Sequence, residues 1–330
     1  MLLSLYAGCG GLDLGFERAG FSVGLAYDLS SHAIRSWNRN RSGGSRGHVA
    51  DLQAIGFPDM DRDHGQRFAP SGVVGGPPCQ SFSRANRSPS PGDPRRKLVR
   101  RFFTLALRFH RHRGPLKFIL MENVPALENF QHGRLLNREV ARLNENGFDV
   151  SVFIADAAAH AVPQRRSRLF LLAFPASART MSHWSSPEGN GQVKTVAEAI
   201  RDLPKPAYFK AGLEKDQIPL HENHWCMVPR SRRFSDGTLI EGQTSARSFK
   251  TLAWDKPSVT ASYGHREVHV HPNGARRLSV FEAMKIQGFP DHYVLEGTLS
   301  AQIDQVSEAV PPPLAHAVAR SIRSALEVRP

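Results

Sequence analysis

Short apolar runs recur along the first half of the chain, and most are followed by glycine, proline or acidic residues. Runs of this length between turn residues predict strands, and apolar residues at helical spacing predict helices. The predicted strands cover residues 2–6, 21–27, 73–74, 118–121 and 169–174. The predicted helices cover residues 12–19, 98–109, 135–144 and 314–326. Because strands and helices alternate up to about residue 174, the pattern predicts an α/β fold with a doubly wound sheet.

A glycine-rich loop, residues 7–11, follows the first predicted strand and precedes the first predicted helix. Strand, glycine loop and helix in this order open many nucleotide-binding folds. The second apolar run ends in Asp28, and a third, shorter run ends in Asp51. A carboxylate at Asp28 suits ribose hydroxyls, and two acids would repel a pyrophosphate, so the arrangement favours S-adenosylmethionine over NAD.

A single thiol stands in a proline turn, Gly76-Pro77-Pro78-Cys79, directly after the strand at 73–74. The two prolines restrict φ and remove backbone donors, which would present Cys79 at a strand edge. A lone cysteine is more often a buried structural thiol than a nucleophile. The neighbouring chemistry favours the nucleophile, because Glu122 ends another predicted strand at the same edge of the sheet.

Two arginines, Arg166 and Arg168, precede the predicted strand at 169–174. Strand alternation predicts that both side chains lie on one face. Guanidinium groups are costly to bury unless they meet an acid, a phosphate or a base edge. A solvated strand face is the alternative interpretation.

These segments, in this order, resemble the motifs of the DNA cytosine-5 methyltransferase family over nearly the whole chain. The matching segments are residues 6–11, 77–80, 93–98, 122–124, 164–168, 277–290 and 305–312. The resemblance implies a Rossmann-like S-adenosylmethionine-dependent methyltransferase sheet with a smaller, irregular target recognition domain. The implied catalytic and cofactor-binding domain is 1–176 plus 304–330, the target recognition domain is 177–275, and the ninth-motif and hinge segment is 276–303.

The resemblance also implies roles for individual residues. The expected catalytic residues are Cys79, Glu122, Arg166 and Arg168. The expected cofactor contacts are Tyr6, Ala7, Gly8, Cys9, Gly10, Gly11, Leu12, Asp28, Leu29, Asp51, Leu52, Pro78, Ser307, Glu308 and Ala309. The expected DNA contacts are Gln80, Ser81, Ser83, Arg84, Arg95, Arg96, Gln164, Arg165, Arg230, Arg232 and Arg233. Residues 221–225 and 230–234 are further candidates for base or phosphate contacts.

Two positions depart from the family pattern. Asp28 stands where the family more often has glutamate, which shortens the reach to the ribose but keeps the acceptor. Ser307 and Glu308 stand where a Gly-Asn pair is usual, next to the expected cofactor pocket. We expect an active enzyme, because the cysteine, the glutamate and the arginines are all present.

The implied mechanism is conjugate addition. The Cys79 thiolate would attack C6 of cytosine, which makes C5 nucleophilic toward the methyl group of the sulfonium. Glu122 would bond N3 and the exocyclic amine, while Arg168, supported by Arg166, would contact O2 or a phosphate and lower the pKa of the thiol. The target base must leave the duplex to reach such a site. A metal is not expected, because the three cysteines have no paired ligand spacing.

Charge and composition agree with a nucleic-acid substrate. The net charge is +13 and the pI about 10.2. Residues 84–113 contain ten lysines or arginines and one acid, Asp93. We therefore interpret residues 81–93 as a catalytic loop that closes over double-stranded DNA, followed by a helix whose basic residues meet phosphates.

The remaining expectations concern location, partners and alternatives. No signal peptide or membrane-spanning run is present in the sequence, and three cysteines without a disulfide spacing pattern indicate a reducing compartment, so we expect a soluble, cytoplasmic monomer. A cognate restriction endonuclease acting separately is a possible partner. Three other functions stay open: methylation of transfer RNA by the same chemistry, a catalytically silent DNA-binding protein, and a nicotinamide oxidoreductase, which the glycine loop alone would allow.

Overall fold

A seven-stranded sheet forms the centre of the computed structural model, which describes residues 1–43, 46–78, 96–246, 249–260 and 268–328. The strands in chain order are β1 (Leu2–Leu5), β2 (Val23–Asp28), β3 (Arg46–Val49), β4 (Gly72–Gly75), β5 (Phe118–Asn123), β6 (Phe148–Asp156) and β7 (Ser167–Pro175). Their spatial order is β3-β2-β1-β4-β5-β7-β6. Neighbours from β3 to β5 are parallel, and β7 is antiparallel to β5. The predicted α/β fold is confirmed.

The described residues also form ten α-helices, of which those before β6 connect the strands of the sheet. In chain order they are α1 (Gly11–Arg18), α2 (Ser31–Arg39), α3 (Phe57–His64), α4 (Arg96–His112), α5 (Ala126–Asn129), α6 (Arg134–Glu145), α7 (Val196–Ile200), α8 (Val280–Ile286), α9 (Leu299–Glu308) and α10 (Pro312–Glu327). Two small sheets follow β7. They pair β8 (Ala207–Tyr208) with β9 (Trp225–Cys226), and β10 (Thr244–Ala246) with β11 (Phe249–Lys250).

The burial of the central strands explains why the apolar pattern of the sequence predicted them. Every residue of β1, β4 and β5 is buried, because helices cover both faces of a parallel sheet and its strands become continuous apolar runs. Helix α4 adds Val99, Phe102, Phe103, Ala106 and Phe109, which are buried on one face at helical spacing. The apolar pattern therefore locates these elements without any knowledge of their partners.

Strand β6 was not predicted from the sequence. It is an edge strand, and both Val152 and Ile154 are exposed on it. Exposed apolar residues on a half-covered strand weaken the contrast between its two faces. The hydrophobic pattern therefore gives a poor signal there.

The chain divides into two compact units. The first comprises Met1–Ala155, Ser167–Glu188 and Ala315–Pro330, and the second comprises Asp156–Arg166 and Gly189–Leu314. These units are defined by contacts, and their limits differ from those of the functional domains expected from the family resemblance, which stay a prediction. Within the first unit α10 packs on α1, where a Cβ added to Gly15 would lie 2.4 Å from the Cβ of Ala315.

The described residues contain neither a membrane-spanning helix nor a cluster of metal-ligating side chains. None of their helices is both long and apolar enough to cross a membrane. Across the same ranges, no group of three or more histidine, cysteine, aspartate or glutamate side chains is arranged to hold a metal ion.

Candidate active site and cofactor pocket

The glycine loop after β1 has the backbone conformation that its glycines predict. Gly8 and Gly10 have φ of 55° and 87°, in the left-handed region that favours glycine. A Cβ on Gly10 would lie 2.7 Å from Cδ1 of Trp37, whereas a Cβ on Gly8 would meet no atom within 4 Å. Gly10 is therefore required by packing, and Gly8 leaves open space beside the loop.

Asp28, at the end of β2, is tied to this loop. Its Oδ2 accepts a hydrogen bond from the Gly8 N–H at 2.9 Å, and its Oδ1 accepts one from the Ser30 N–H at 2.8 Å. Burial raises the pKa of Asp28, while the two N–H groups favour its ionised form. Each carboxylate oxygen has a further lone pair, so Asp28 can also accept hydroxyl groups of a ribose.

The second predicted acid, Asp51, lies on an exposed turn after β3. Its Oδ1 accepts a hydrogen bond from the Gln53 N–H at 2.9 Å. Leu52 beside it is buried, whereas Leu29, the residue after Asp28, is 73% exposed. Leu29 thus offers apolar surface next to the Asp28 carboxylate. An open glycine loop, two acceptors for hydroxyl or amino groups and an apolar surface fit S-adenosylmethionine.

A buried ion pair occupies the end of β5. Glu122 Oε1 lies 2.8 Å from Nε of Arg168, and each residue is 8% exposed. Arg168 Nη1 also donates to the carbonyl of Ser167 at 2.9 Å. The two side chains meet because β5 and β7 are antiparallel neighbours, with Glu122 opposite Phe170 in the register. A buried charge needs such a partner, so each side chain holds the other in place.

The turn that leads to Cys79 is anchored beside this pair. Asn123 donates from Nδ2 to the carbonyl of Pro77 at 3.0 Å. A Cβ on Gly76 would lie 2.8 Å from Oε2 of Glu122, so glycine allows the turn to pass this close to the carboxylate. Cys79 itself follows two residues after Pro77 and lies outside the described residues. Sequence reasoning assigned no role to Asn123, although its place directly after Glu122 was a usable signal.

The two motif arginines do not share a strand. β7 begins at Ser167, so Arg166 precedes it and belongs to the second compact unit. The expectation that both side chains lie on one face stays a prediction. Arg166 is fully buried, its N–H donates to Asp156 Oδ1 at 3.0 Å, and its Nη2 donates to the carbonyl of Ser307 at 2.6 Å.

This contact bears on the departure at Ser307 and Glu308. The Ser307 acceptor is a main-chain carbonyl, so the contact with Arg166 does not depend on the side chain at position 307. Glu308 is exposed, and Ala309 is buried. The unusual Ser-Glu pair therefore leaves the internal contact of Arg166 intact.

The expected DNA contacts fall into three groups. Arg165, Arg230, Arg232 and Arg233 are exposed, and Gln164 is fully buried. Arg96 begins α4, but its side chain is not described. The expected contacts that lie outside the described residues are Gln80, Ser81, Ser83, Arg84 and Arg95.

Two further candidates in the recognition segment are structural. Asn223 is buried and donates from Nδ2 to the carbonyl of Leu295 at 2.8 Å. His224 is buried and contacts Ser279 Oγ at 2.9 Å and the carbonyl of Pro204 at 2.7 Å through its two ring nitrogens. The interpretation of these two residues as DNA contacts was wrong, because internal hydrogen bonds hold both side chains inside the second unit.

Comparisons with known proteins agree on one family. The profile of the C-5 cytosine-specific DNA methylase family matches residues 1–324. The type II methyltransferase M.MthTI of Methanothermobacter thermautotrophicus is 29% identical, covering 99% of this chain and 98% of its own. M.NgoPII of Neisseria gonorrhoeae is 28% identical, covering 99% and 96%.

Solved structures show the same fold. A protein encoded within an Escherichia coli prophage, described as a DNA modification methyltransferase, superposes with a TM-score of 0.80 at 21% identity and covers 99% of both chains. The Dnmt2 methyltransferase of S. pombe superposes with a TM-score of 0.60 at 18% identity, again over 99% of both chains. At these identities the likeness concerns the fold.

Proposed function

The chain belongs to the C-5 cytosine-specific DNA methylase family, and from that membership we propose which of its residues methylate cytosine and how. The protein is an S-adenosylmethionine-dependent DNA (cytosine-5) methyltransferase. Its proposed substrate is a specific double-stranded sequence whose target cytosine turns out of the duplex, because a base within the stack cannot reach a buried carboxylate. The observation that carries the proposal is the buried Glu122–Arg168 pair beside the anchored turn before Cys79.

Cys79 is the proposed nucleophile. Its thiolate forms a bond to C6 of the flipped cytosine, and the electron pair of the C5–C6 double bond moves toward C5 and the ring. S-adenosylmethionine, when bound, supplies an electrophilic methyl group. After transfer, a base removes the C5 proton, the double bond re-forms, and the Cys79 sulfur leaves as thiolate.

Glu122 is the proposed partner of the cytosine edge. Its carboxyl group would bond N3 and the exocyclic amine, which offsets the negative charge that develops in the ring when Cys79 adds. Arg168 supports this role by holding Oε1 at 2.8 Å, which fixes the orientation of the carboxyl group. We propose that the outer nitrogens of Arg168 contact O2 of the cytosine or a phosphate.

The cofactor residues follow from the geometry of the pocket. Asp28 would accept ribose hydroxyls, Asp51 would accept the adenine amino group, and Leu29 would cover the adenine ring. The open space beside Gly8 would take the methionine part, next to the amino-terminal end of α1. We propose that aspartate can replace the glutamate usual at position 28 in binding the ribose, because the Gly8 N–H holds the shorter Asp28 carboxylate at the loop.

The proposal is tested by expressing the parent and Cys79→Ala in a host without cytosine methylation and sequencing its bisulfite-treated genome. We expect methylcytosine in one short context with the parent and none with Cys79→Ala. Cys226→Ala is the matched control, because that buried thiol lies in the other unit and should keep the methylation pattern. Equal methylation by Cys79→Ala would refute the mechanism, and methylcytosine confined to transfer RNA would assign the RNA activity.

The proposed context is restriction–modification. Type II methyltransferases are among the relatives. We propose that the protein acts in the cytoplasm as a monomer, and that a separate endonuclease cleaves the same sequence. The direct measurement uses DNA incubated in extracts that contain the parent protein. This DNA should resist the endonuclease that cleaves the recognition sequence.

A further inference from the structure

One guanidinium group reaches from α4 to the turn that carries Asp51. Arg101 donates from Nε to the carbonyl of Leu52 at 2.6 Å and from Nη2 to the carbonyl of Ile55 at 2.8 Å. The turn's own hydrogen bonds are short-range: the Asp51 carbonyl accepts from the N–H groups of Ala54 and Ile55, and Asp51 Oδ1 accepts from the Gln53 N–H. Arg101 adds hydrogen bonds from a distant part of the chain to the carbonyls of this turn.

The position of Arg101 is unusual for a cation. The side chain is half-buried, and within the described part of the chain it forms no ion pair with a carboxylate. Burial lowers the pKa of Arg101, the neighbouring charge of Arg108 lowers it further, and the carboxylate of Asp51 opposes that shift. A guanidinium group is planar and rigid. When two of its N–H groups donate to two carbonyl oxygens, it fixes the distance between those oxygens.

The turn presents one acid outward. Leu52 is buried and fixes the inner side of the turn, while Asp51 is exposed on the outer side. Because Arg101 donates to the carbonyls of Leu52 and Ile55, the backbone that follows Asp51 cannot shift independently of α4. Arg101 therefore helps to fix the direction in which the Asp51 carboxylate points.

We propose that Arg101 is a positioning residue for recognition of the adenine base of the cofactor. It acts through the turn at 51–55 and does not touch the ligand. The inference rests on the proposed function, in which Asp51 accepts the adenine amino group. Arg101 was not among the candidate residues predicted from the sequence.

The test measures binding, by calorimetry with the full-length protein. The ligands are S-adenosylhomocysteine, which has an amino group at C6 of the purine, and S-inosylhomocysteine, which has a carbonyl group at C6 and a proton on N1. We expect the parent to prefer the adenine ligand by about tenfold or more, as for a hydrogen bond to a charged group. In Arg101→Met this ratio should fall toward one, and Arg101→Lys, which keeps the charge but loses the fork, should lie between.

The matched control is Arg100→Met. Arg100 is the neighbouring arginine of α4, and its side chain is exposed. Loss of a positive charge from the helix without loss of the turn contacts should leave the ratio at the parental value. Affinity for unmethylated DNA, measured by fluorescence anisotropy, should be the same in the parent and Arg101→Met.

Each outcome decides the inference. A parental ratio in Arg101→Met, or an equal loss of both ligands, would overturn it, since a general weakening of the fold lowers both affinities alike. If Arg101→Met does not fold, Arg101→Lys and Arg101→Gln give the same comparison. A parent that does not distinguish the two ligands would overturn both the role of Asp51 and the inference. A parent that binds the cofactor but methylates no DNA would instead contradict the proposed function.

Discussion

Two buried arginine–glutamate pairs in this protein have the same chemistry but different roles, one proposed to be catalytic and one structural. In the first unit Arg168 meets Glu122 through Nε at 2.8 Å, at the end of a strand. In the second unit Arg276 meets Glu282 through both outer nitrogens, at 2.8 and 2.7 Å. Glu282 also accepts from the Ser279 N–H at 2.7 Å and completes the cap of α8. The second pair holds a helix end, whereas the first lies beside the turn that precedes the proposed nucleophile in the sequence.

A cysteine is associated with each pair, close in space to the second pair and close in sequence to the turn beside the first. Cys226 is 1% exposed and close enough to Arg276 and Glu282 for their charges to act on it. Burial raises the pKa of Cys226 to about 12, with the charge of Arg276 opposing the shift. Cys79 instead follows a proline turn whose carbonyl is held by Asn123. A buried ion pair and a nearby thiol therefore do not define a catalytic site, because a nucleophile must also be accessible and readily ionised.

The largest expected effect comes from Glu122→Gln. The amide keeps the size of the side chain and an acceptor for Arg168, but it cannot take or give the proton at N3 of cytosine. We expect kcat per folded molecule to fall by about 10²–10⁴, with little change in the affinity for S-adenosylhomocysteine. The midpoint of urea unfolding should also fall, because Arg168 is buried and loses its compensating charge. Loss of cofactor binding would show that the assigned role of Glu122 is wrong.

Glu282→Gln should lower the stability without lowering the rate of methylation. Arg276 would keep its place inside the second unit without a compensating charge, so the free energy of unfolding should drop by about 3 kcal/mol. Urea unfolding followed by tryptophan fluorescence measures the drop. The methylation rate per folded molecule should stay near the parental value at temperatures well below the transition. A catalytic loss without a loss of stability would mean that the second pair also serves the reaction.

The smallest expected effect is a difference in thiol labelling between the cysteines of the two regions. Cys9 and Cys226 are buried, and at pH 8 the Cys226 thiol is neutral because its pKa lies near 12. We expect iodoacetamide to modify one thiol in the native parent and none in Cys79→Ala, as counted by intact-mass spectrometry. In Glu282→Gln, slow labelling of Cys226 should appear as that region opens. Rapid labelling of Cys226 in the native parent would contradict its structural assignment.

Much of the first unit could be predicted because its signals are local. The apolar runs of β1, β4 and β5 and the helical spacing of α4 each lie within one segment and reflect burial on known faces. The glycine loop and the proline turn could be predicted for the same reason, because the φ preferences of glycine and proline are properties of the single residue. The second unit has short strands and long irregular segments, and there Asn223 and His224 were misread as DNA contacts.

The sequence by itself determined the α/β class, the glycine loop with Asp28, and the order of the cysteine, glutamate and arginine motifs. Only the tertiary structure decided which arginine meets Glu122. That choice depends on β7 lying antiparallel to β5, which brings Arg168 to the carboxylate while Arg166 bonds the carbonyl of Ser307. Likewise, Asn123 holds Pro77 and Arg101 holds the turn at Asp51 across long stretches of chain. Such pairings arise from the spatial order of strands and helices, and no local pattern of apolar and polar residues encodes them.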